Sequence, residues 1–217
     1  MSSPSGTRTV RLPREERRAQ LLEAAMEVFV AHGYHAAAME DVAERAGISK
    51  PVLYQHFDGK LELYLAILDE QSEAIIGLVR EALASTDDPK ERVYATIAAF
   101  FAFVDGPGGA YRLLFESDLT NEPAVRRRLD ATELDIARII ADRIALDTEL
   151  PDQLAHLLGV SLAGMSQVTA RAWLEHGAGI DRATAARAAG HLAWRGIGAF
   201  PTRATAAGLR AGTESGS

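Results

Sequence analysis

Apolar residues recur at intervals of three and four along most of the chain, the spacing that puts them on one face of an α-helix. No stretch alternates apolar and polar for long enough to predict a strand, so the pattern predicts an all-α protein. Leu21, Ala25, Val28 and Phe29 mark a first helix over about residues 14–32, with Gly33 as its stop. Met39, Val42, Ala43 and Ala46 share one side of a second helix over about 39–46, and Gly47-Ile48-Ser49 then form a tight turn. Gly47 suits the left-handed conformation that closes a helix, and the Ser49 hydroxyl is expected to cap the next one. That third helix, over about 50–57, turns Leu53 and Phe57 inward and accepts Pro51 in its first turn, where a missing N–H costs nothing. A fourth, capped by Asp58, runs from Lys60 to about Leu83.

Five more helices follow. Val93, Ile97, Phe100, Phe101 and Val104 share a face of the fifth, which ends at Asp105-Gly106-Pro107-Gly108-Gly109. That glycine run reads as a loop and not as a dinucleotide fingerprint, because no strand precedes it and its spacing is wrong. A short sixth helix carries Tyr111, Leu113, Leu114 and Phe115; the seventh spans about 122–145, the eighth about 151–176 and the ninth about 181–200. The ends, residues 1–13 and 201–217, are rich in Ser, Thr, Gly, Pro and Ala without apolar period, and are expected to be disordered.

Two short helices joined by a three-residue turn containing glycine match the helix-turn-helix pattern, whose second helix enters the major groove of DNA. Here that helix leaves Lys50, Pro51, Val52, Tyr54, Gln55 and His56 outward. Lys50 can donate to guanine O6 and N7, Gln55 can bond adenine, and Pro51 and Val52 can pack on thymine methyls.

Charge first argues against such a partner: the 217 residues carry a net −7, and the sequence pI is about 5.4. Acidic and basic residues balance up to Lys60, however, so the acidity belongs wholly to the remainder. Arg8, Arg11, Arg14, Arg17 and Arg18 face only Glu15 and Glu16 and form a basic arm suited to phosphate. With no cysteine there is no disulfide framework or thiol nucleophile, and a reducing, cytoplasmic setting is expected. The longest apolar run, Ala95 to Val104, is about half a membrane span. Zinc-spaced histidines, a nucleophile elbow and a phosphate loop are all missing, and the six histidines are scattered, so no enzyme, metal or cofactor is expected.

The segments Leu21-Leu22-Glu23-Ala24-Ala25, Phe29, Gly33-Tyr34 and Val42 through Phe57, with Lys60, resemble the TetR family of bacterial transcriptional regulators. The resemblance implies a DNA-binding domain over 14–60 and a ligand-binding and dimerisation bundle over 61–200. It also implies that Tyr54, His56 and Lys60, helped by Ser49, contact phosphates and set register. Where family members often begin helix two with Thr or Ser, this chain has Ala37-Ala38-Met39, which leaves bare backbone N–H groups for phosphate, while Glu40 and Asp41 would repel it. Helices eight and nine resemble the family's dimerisation pair. Gly159, Ser161, Ala163 and Gly164 would permit close approach of two helices there, with Trp173 and Trp194 as interface anchors.

Phe100, Phe101, Phe103, Val104, Leu114, Phe115, Ile136, Ile140, Leu158, Leu162 and Met165 are candidates to line an apolar ligand cavity, or are plain bundle core. Further wording, including Leu12-Pro13-Arg14-Glu15-Glu16-Arg17-Arg18 and Tyr111-Arg112-Leu113-Leu114-Phe115-Glu116, is similar to the fatty-acid-synthase regulators of high-GC Gram-positive bacteria. That similarity implies long-chain acyl-CoA as effector, with Arg126, Arg127 and Arg128 as candidates for its phosphates. The partners expected are thus double-stranded DNA, a second copy of the chain and a small apolar effector, without a membrane. Two other readings stand beside this one: a regulator of efflux or catabolism sensing an unrelated hydrophobic compound, and a helical adaptor that binds only protein.

Overall fold

A computed structural model describes residues 13–106, 109–115, 119, 121–177 and 179–197. The expected disordered ends, apart from Pro13, lie outside the described residues, as do Pro107 and Gly108 of the glycine loop, Glu116, and the last residues expected of the ninth helix. Among the described residues there are nine helices: α1 (Arg14–Ala36), α2 (Met39–Arg45), α3 (Lys50–Tyr54), α4 (Lys60–Ala84), α5 (Pro89–Val104), α6 (Tyr111–Phe115), α7 (Pro123–Asp147), α8 (Asp152–His176) and α9 (Arg182–Ile197). None of them is long and apolar enough to cross a membrane. The chain divides into two compact units between Ile67 and Leu68, within α4 and later than the boundary at 60/61 expected from sequence. The reason is Tyr64, which packs edge-on against Phe29 and Tyr34 and so ties the first turns of α4 to the first unit.

In the first unit the predicted inward residues are the core: Leu21, Ala25, Val28, Phe29, Val42, Ala46, Leu53 and Phe57 are all buried. Gly33 does break α1, with φ 73° and ψ 165°, and a closing turn continues to Ala36. The α2–α3 turn is built as expected. Gly47 is left-handed (φ 66°), its N–H donates to the Glu44 carbonyl, and Ile48 N–H donates to the Ala43 carbonyl, which satisfies the last carbonyls of α2.

Three local expectations are corrected. The Ser49 side chain makes no cap bond; only its carbonyl accepts, from Val52 and Leu53. The α-helical part of α3 ends at Tyr54, and a tighter turn carries the chain to Phe57 through His56 N–H and Phe57 N–H, both donating to Leu53. At α4, the Asp58 backbone N–H donates to the Glu62 carboxylate, and Gly59 accepts the first helical bond, from Leu63.

In the second unit Asp88 caps α5 by accepting from Lys90 and Glu91 N–H, with Pro89 at the first helical position. Helices α7 and α8 pack so closely that a Cβ on Gly159 would stand 2.4 Å from the Ala137 carbonyl oxygen. Gly190 of α9 likewise lies against the Tyr94 ring of α5. Arg92, 2% exposed, is held by the Thr86 carbonyl at 2.9 Å and ion-pairs with Asp147 at the end of α7, where Arg143 also binds. A buried guanidinium needs such a complete set of partners.

Candidate nucleic-acid interface and bundle groove

The side chains of the α3 region sort as their spacing predicts. Leu53 and Phe57 are fully buried, whereas Ser49, Lys50, Pro51, Tyr54 and Gln55 are exposed and Val52, His56 and Lys60 half-buried. Tyr54, 42% exposed, is a large aromatic turned to solvent, an arrangement with no role in the core. The surface is therefore a short ridge of donors and apolar atoms of the kind that fits base edges and phosphates.

Electrostatics extend it. Arg18 lies over the Phe57 ring at 4.9 Å. Partial burial, followed by the charges of Arg14, Arg17 and Arg18, lowers the His56 imidazole below its ordinary range. The first turns of α1 are thus close enough to the end of α3 to make one basic surface, and Gln20 fastens α1 to the end of α2 by donating to the Ala46 carbonyl at 3.0 Å.

Three side chains are arranged in ways the sequence reading missed. The Ala38 N–H, expected to be bare, donates to the Asp41 carboxylate at 3.0 Å, so that α2 carries its own anion where phosphate was expected. Glu40 ion-pairs with Lys50, the residue singled out for guanine. Lys60, assigned to phosphate, turns its ammonium inward, to the carbonyls of Tyr34 at 2.8 Å and Ala37 at 2.9 Å, over the Tyr34 ring. No local pattern announces pairings between residues 10 to 26 positions apart.

In the second unit an open groove of about 530 Å³ runs between α7 and α8. Phe100 and Ile136 line it with Leu134, Ala137, Val160, Ala163, Gly164 and Val168, and Asp130, Glu133 and Gln167 supply polar atoms. Of the other candidate lining residues, Phe101, Phe103, Val104, Leu114 and Ile140 are buried, and Phe115, Leu158, Leu162 and Met165 half-buried; none of these nine lines this groove. Arg128 is engaged with Asp69 at 2.7 Å, Arg126 lies near Asp130, and Arg127 is exposed.

The expected interface residues divide. Gly159 and Ala163 are buried, and Gly159 serves the α7 contact inside the chain rather than a second copy. Trp173 is half-buried, its ring near Phe101 and its N–H on the Ile180 carbonyl; Trp194 is half-buried too. Gly164 is exposed and open, and the large apolar residues turned to solvent include Leu157, Val160, Val168 and Leu174 of α8 and Leu192 of α9, with Leu134 and Leu146 of α7 and Ile180 besides. Among the described residues no cluster of His, Asp and Glu is placed to hold a metal.

A profile described as "Bacterial regulatory proteins, tetR family" matches residues 21–67. The chain is 44% identical over 191 residues, 88% of its own length and 87% of the relative's, to the HTH-type transcriptional activator FasR of Mycolicibacterium smegmatis. Among solved structures, a TetR-like transcriptional regulator from Rhodococcus sp. RHA1 superposes with a TM-score of 0.71 at 26% identity, covering 87% of this chain and all of that one. The Bacillus subtilis regulator FadR, solved in complex with stearoyl-CoA, shares the fold with a TM-score of 0.65 at 19% identity, over 81% of this chain and 96% of that one.

Proposed function

The chain belongs to the TetR family of bacterial regulatory proteins and is a DNA-binding transcriptional regulator, and on that premise we propose that it binds a palindromic operator as a homodimer whose affinity falls when acyl-CoA enters the C-terminal bundle. The observation that carries the DNA half is the exposed ridge Lys50, Pro51, Tyr54 and Gln55 on a helix whose other side is wholly buried. Two such ridges related by a two-fold axis would meet successive major grooves about 34–36 Å apart. The open apolar faces of α8 and α9 around Leu157, Gly164, Val168 and Leu192 are the surface this reading gives to the second copy.

For the effector, support comes from the similarity to FasR over most of both chains, from the stearoyl-CoA held by FadR, and from the apolar groove floored by Phe100 and Ile136. A ligand wedged between α7 and α8 would favour a dimer in which the two α3 ridges no longer match the duplex. Coupling of this kind is typically about 1–3 kcal/mol, or about 5- to 150-fold in operator affinity, and appears equally in the affinity for the ligand. A cytoplasmic location follows from the same reading.

The test is binding to the DNA upstream of the chain's own coding sequence, alongside the thermal midpoint, across acyl-CoAs of increasing length with free CoA as control. Stabilisation that grows with chain length and releases DNA is expected. Intact DNA binding with no response to any acyl-CoA would assign the bundle to a different apolar compound. Alanine at Lys50 and Tyr54 is expected to abolish specific binding while the fold persists, and unchanged binding would remove these two from the contact set.

A further inference from the structure

Helix α2 opens on two adjacent carboxylates with different tasks. Asp41 closes the helix by accepting from Ala38 N–H. Glu40, about 100° away around the helix, reaches across to α3, where its Oε1 ion-pairs with Lys50 Nζ. Both partners are exposed and belong to the same surface as Pro51, Tyr54 and Gln55. The Lys50 ammonium also lies 5.9 Å from the Tyr54 ring centre. The shared bond is the largest cause of a lowered Glu40 carboxyl and a raised Lys50 ammonium, so both stay charged across the working pH range.

We propose that Glu40 is a built-in competitor with DNA for Lys50, a carboxylate that occupies the ammonium until a phosphate oxygen or a base acceptor displaces it. The inference rests on the reading of α3 as the DNA-contacting helix. Its physical content is an exchange of anions. Lys50 on a phosphate releases the same condensed cations whether or not Glu40 held it before, so the displaced ion pair subtracts from affinity and leaves the slope of log affinity against log salt, about 0.9 per phosphate neutralised, unchanged. Exposed ion pairs are weak, so this one delays Lys50 without locking it away. Glu40 is thereby a positioning residue that sets how strongly the chain grips DNA of any sequence.

The experiment measures binding of the full chain to a random-sequence duplex of about 30 bp, roughly three helical turns, over a range of salt concentrations. Glu40→Gln is expected to tighten binding about two- to fivefold at low salt, the strength of an exposed ion pair, with the salt slope unchanged. In a Lys50→Met background, whose salt slope is shallower by about 0.9, the same substitution is expected to produce no gain. Glu40→Asp keeps the charge but loses reach, and is expected to behave as Glu40→Gln does.

A gain that persists undiminished without Lys50, or an Asp variant that matches the wild type, would show simple repulsion of phosphate and overturn the proposal. So would a folded Glu40→Gln variant with unchanged affinity. If the wild-type chain binds neither this duplex nor its own upstream DNA, the reading of α3 fails and the inference falls with it.

Discussion

The ammonium of Lys60, at the start of α4, donates to the carbonyl oxygen of Tyr34 at 2.8 Å, with the tyrosine ring 4.4 Å below the charge. It also reaches the carbonyls of His35 and Ala37, and so closes the end of α1 after the break at Gly33. A helix end leaves carbonyls that need donors, and a cation there is favoured twice over, by hydrogen bonding and by the helix dipole.

Removing that donor should therefore cost stability before it costs charge at the DNA. Lys60→Met is expected to destabilise by about 2 kcal/mol, the range for a hydrogen bond to a charged group, and to lower the thermal midpoint by about 4–8 °C. The salt slope of DNA binding is expected to stay as in the wild type. A slope reduced by about 0.9 at an unchanged midpoint would return Lys60 to the phosphate contacts.

His56 gives a pH signature. Burial and the neighbouring arginines hold its folded-state pKa below the unfolded value of about 6.5. Its contribution to stability is thus fully present above about pH 6.5 and is lost as pH falls from there through the folded value. A DNA phosphate beside the ring acts in the opposite sense and favours the imidazolium. Operator affinity is expected to rise as pH falls toward the lowered folded-state value of His56, and His56→Gln to flatten that rise. An identical pH profile in the variant would remove His56 from the interface.

Two glycines on α8 separate packing from openness. A methyl group on Gly159 would collide with the Ala137 carbonyl and the Ala141 backbone, whereas one on Gly164 meets nothing within 4 Å. Gly159→Ala is expected to destabilise by about 1–3 kcal/mol through overpacking. Gly164→Ala should stabilise α8 by up to about 1 kcal/mol from helix propensity. Chemical denaturation of the two variants checks the contrast.

The groove between α7 and α8 makes a separate prediction. Glu133→Trp places a ring on the α7 wall of the groove, away from the α8 and α9 faces given to the second copy, and should abolish the midpoint shift caused by a long-chain acyl-CoA while leaving DNA binding in place. A shift of wild-type size in this variant would place the effector elsewhere in the bundle.

Periodicity made the helices legible because a buried stripe must repeat every 3.6 residues, and Leu53, Phe57, Phe100 and Ile136 are buried where that rule puts them. The α2–α3 turn was equally legible, since only a residue such as Gly47 takes a positive φ without strain. Outwardness at Lys50, Tyr54 and Gln55 followed from the same stripe, and the motif as a whole carried the family.

The sequence by itself therefore determined the helices, the turn and which residues face away from the first core. The tertiary structure decided how the charged and small residues are used: Lys50 on Glu40, Lys60 on Tyr34, Arg92 on Asp147, and Gly159 against Ala137. Helix and turn preferences act between near neighbours and can be read along the chain. An ion pair or a close helix contact depends on where folding brings distant backbone segments, and nothing in the local pattern of Lys50, Lys60 or Gly159 states which partner that is.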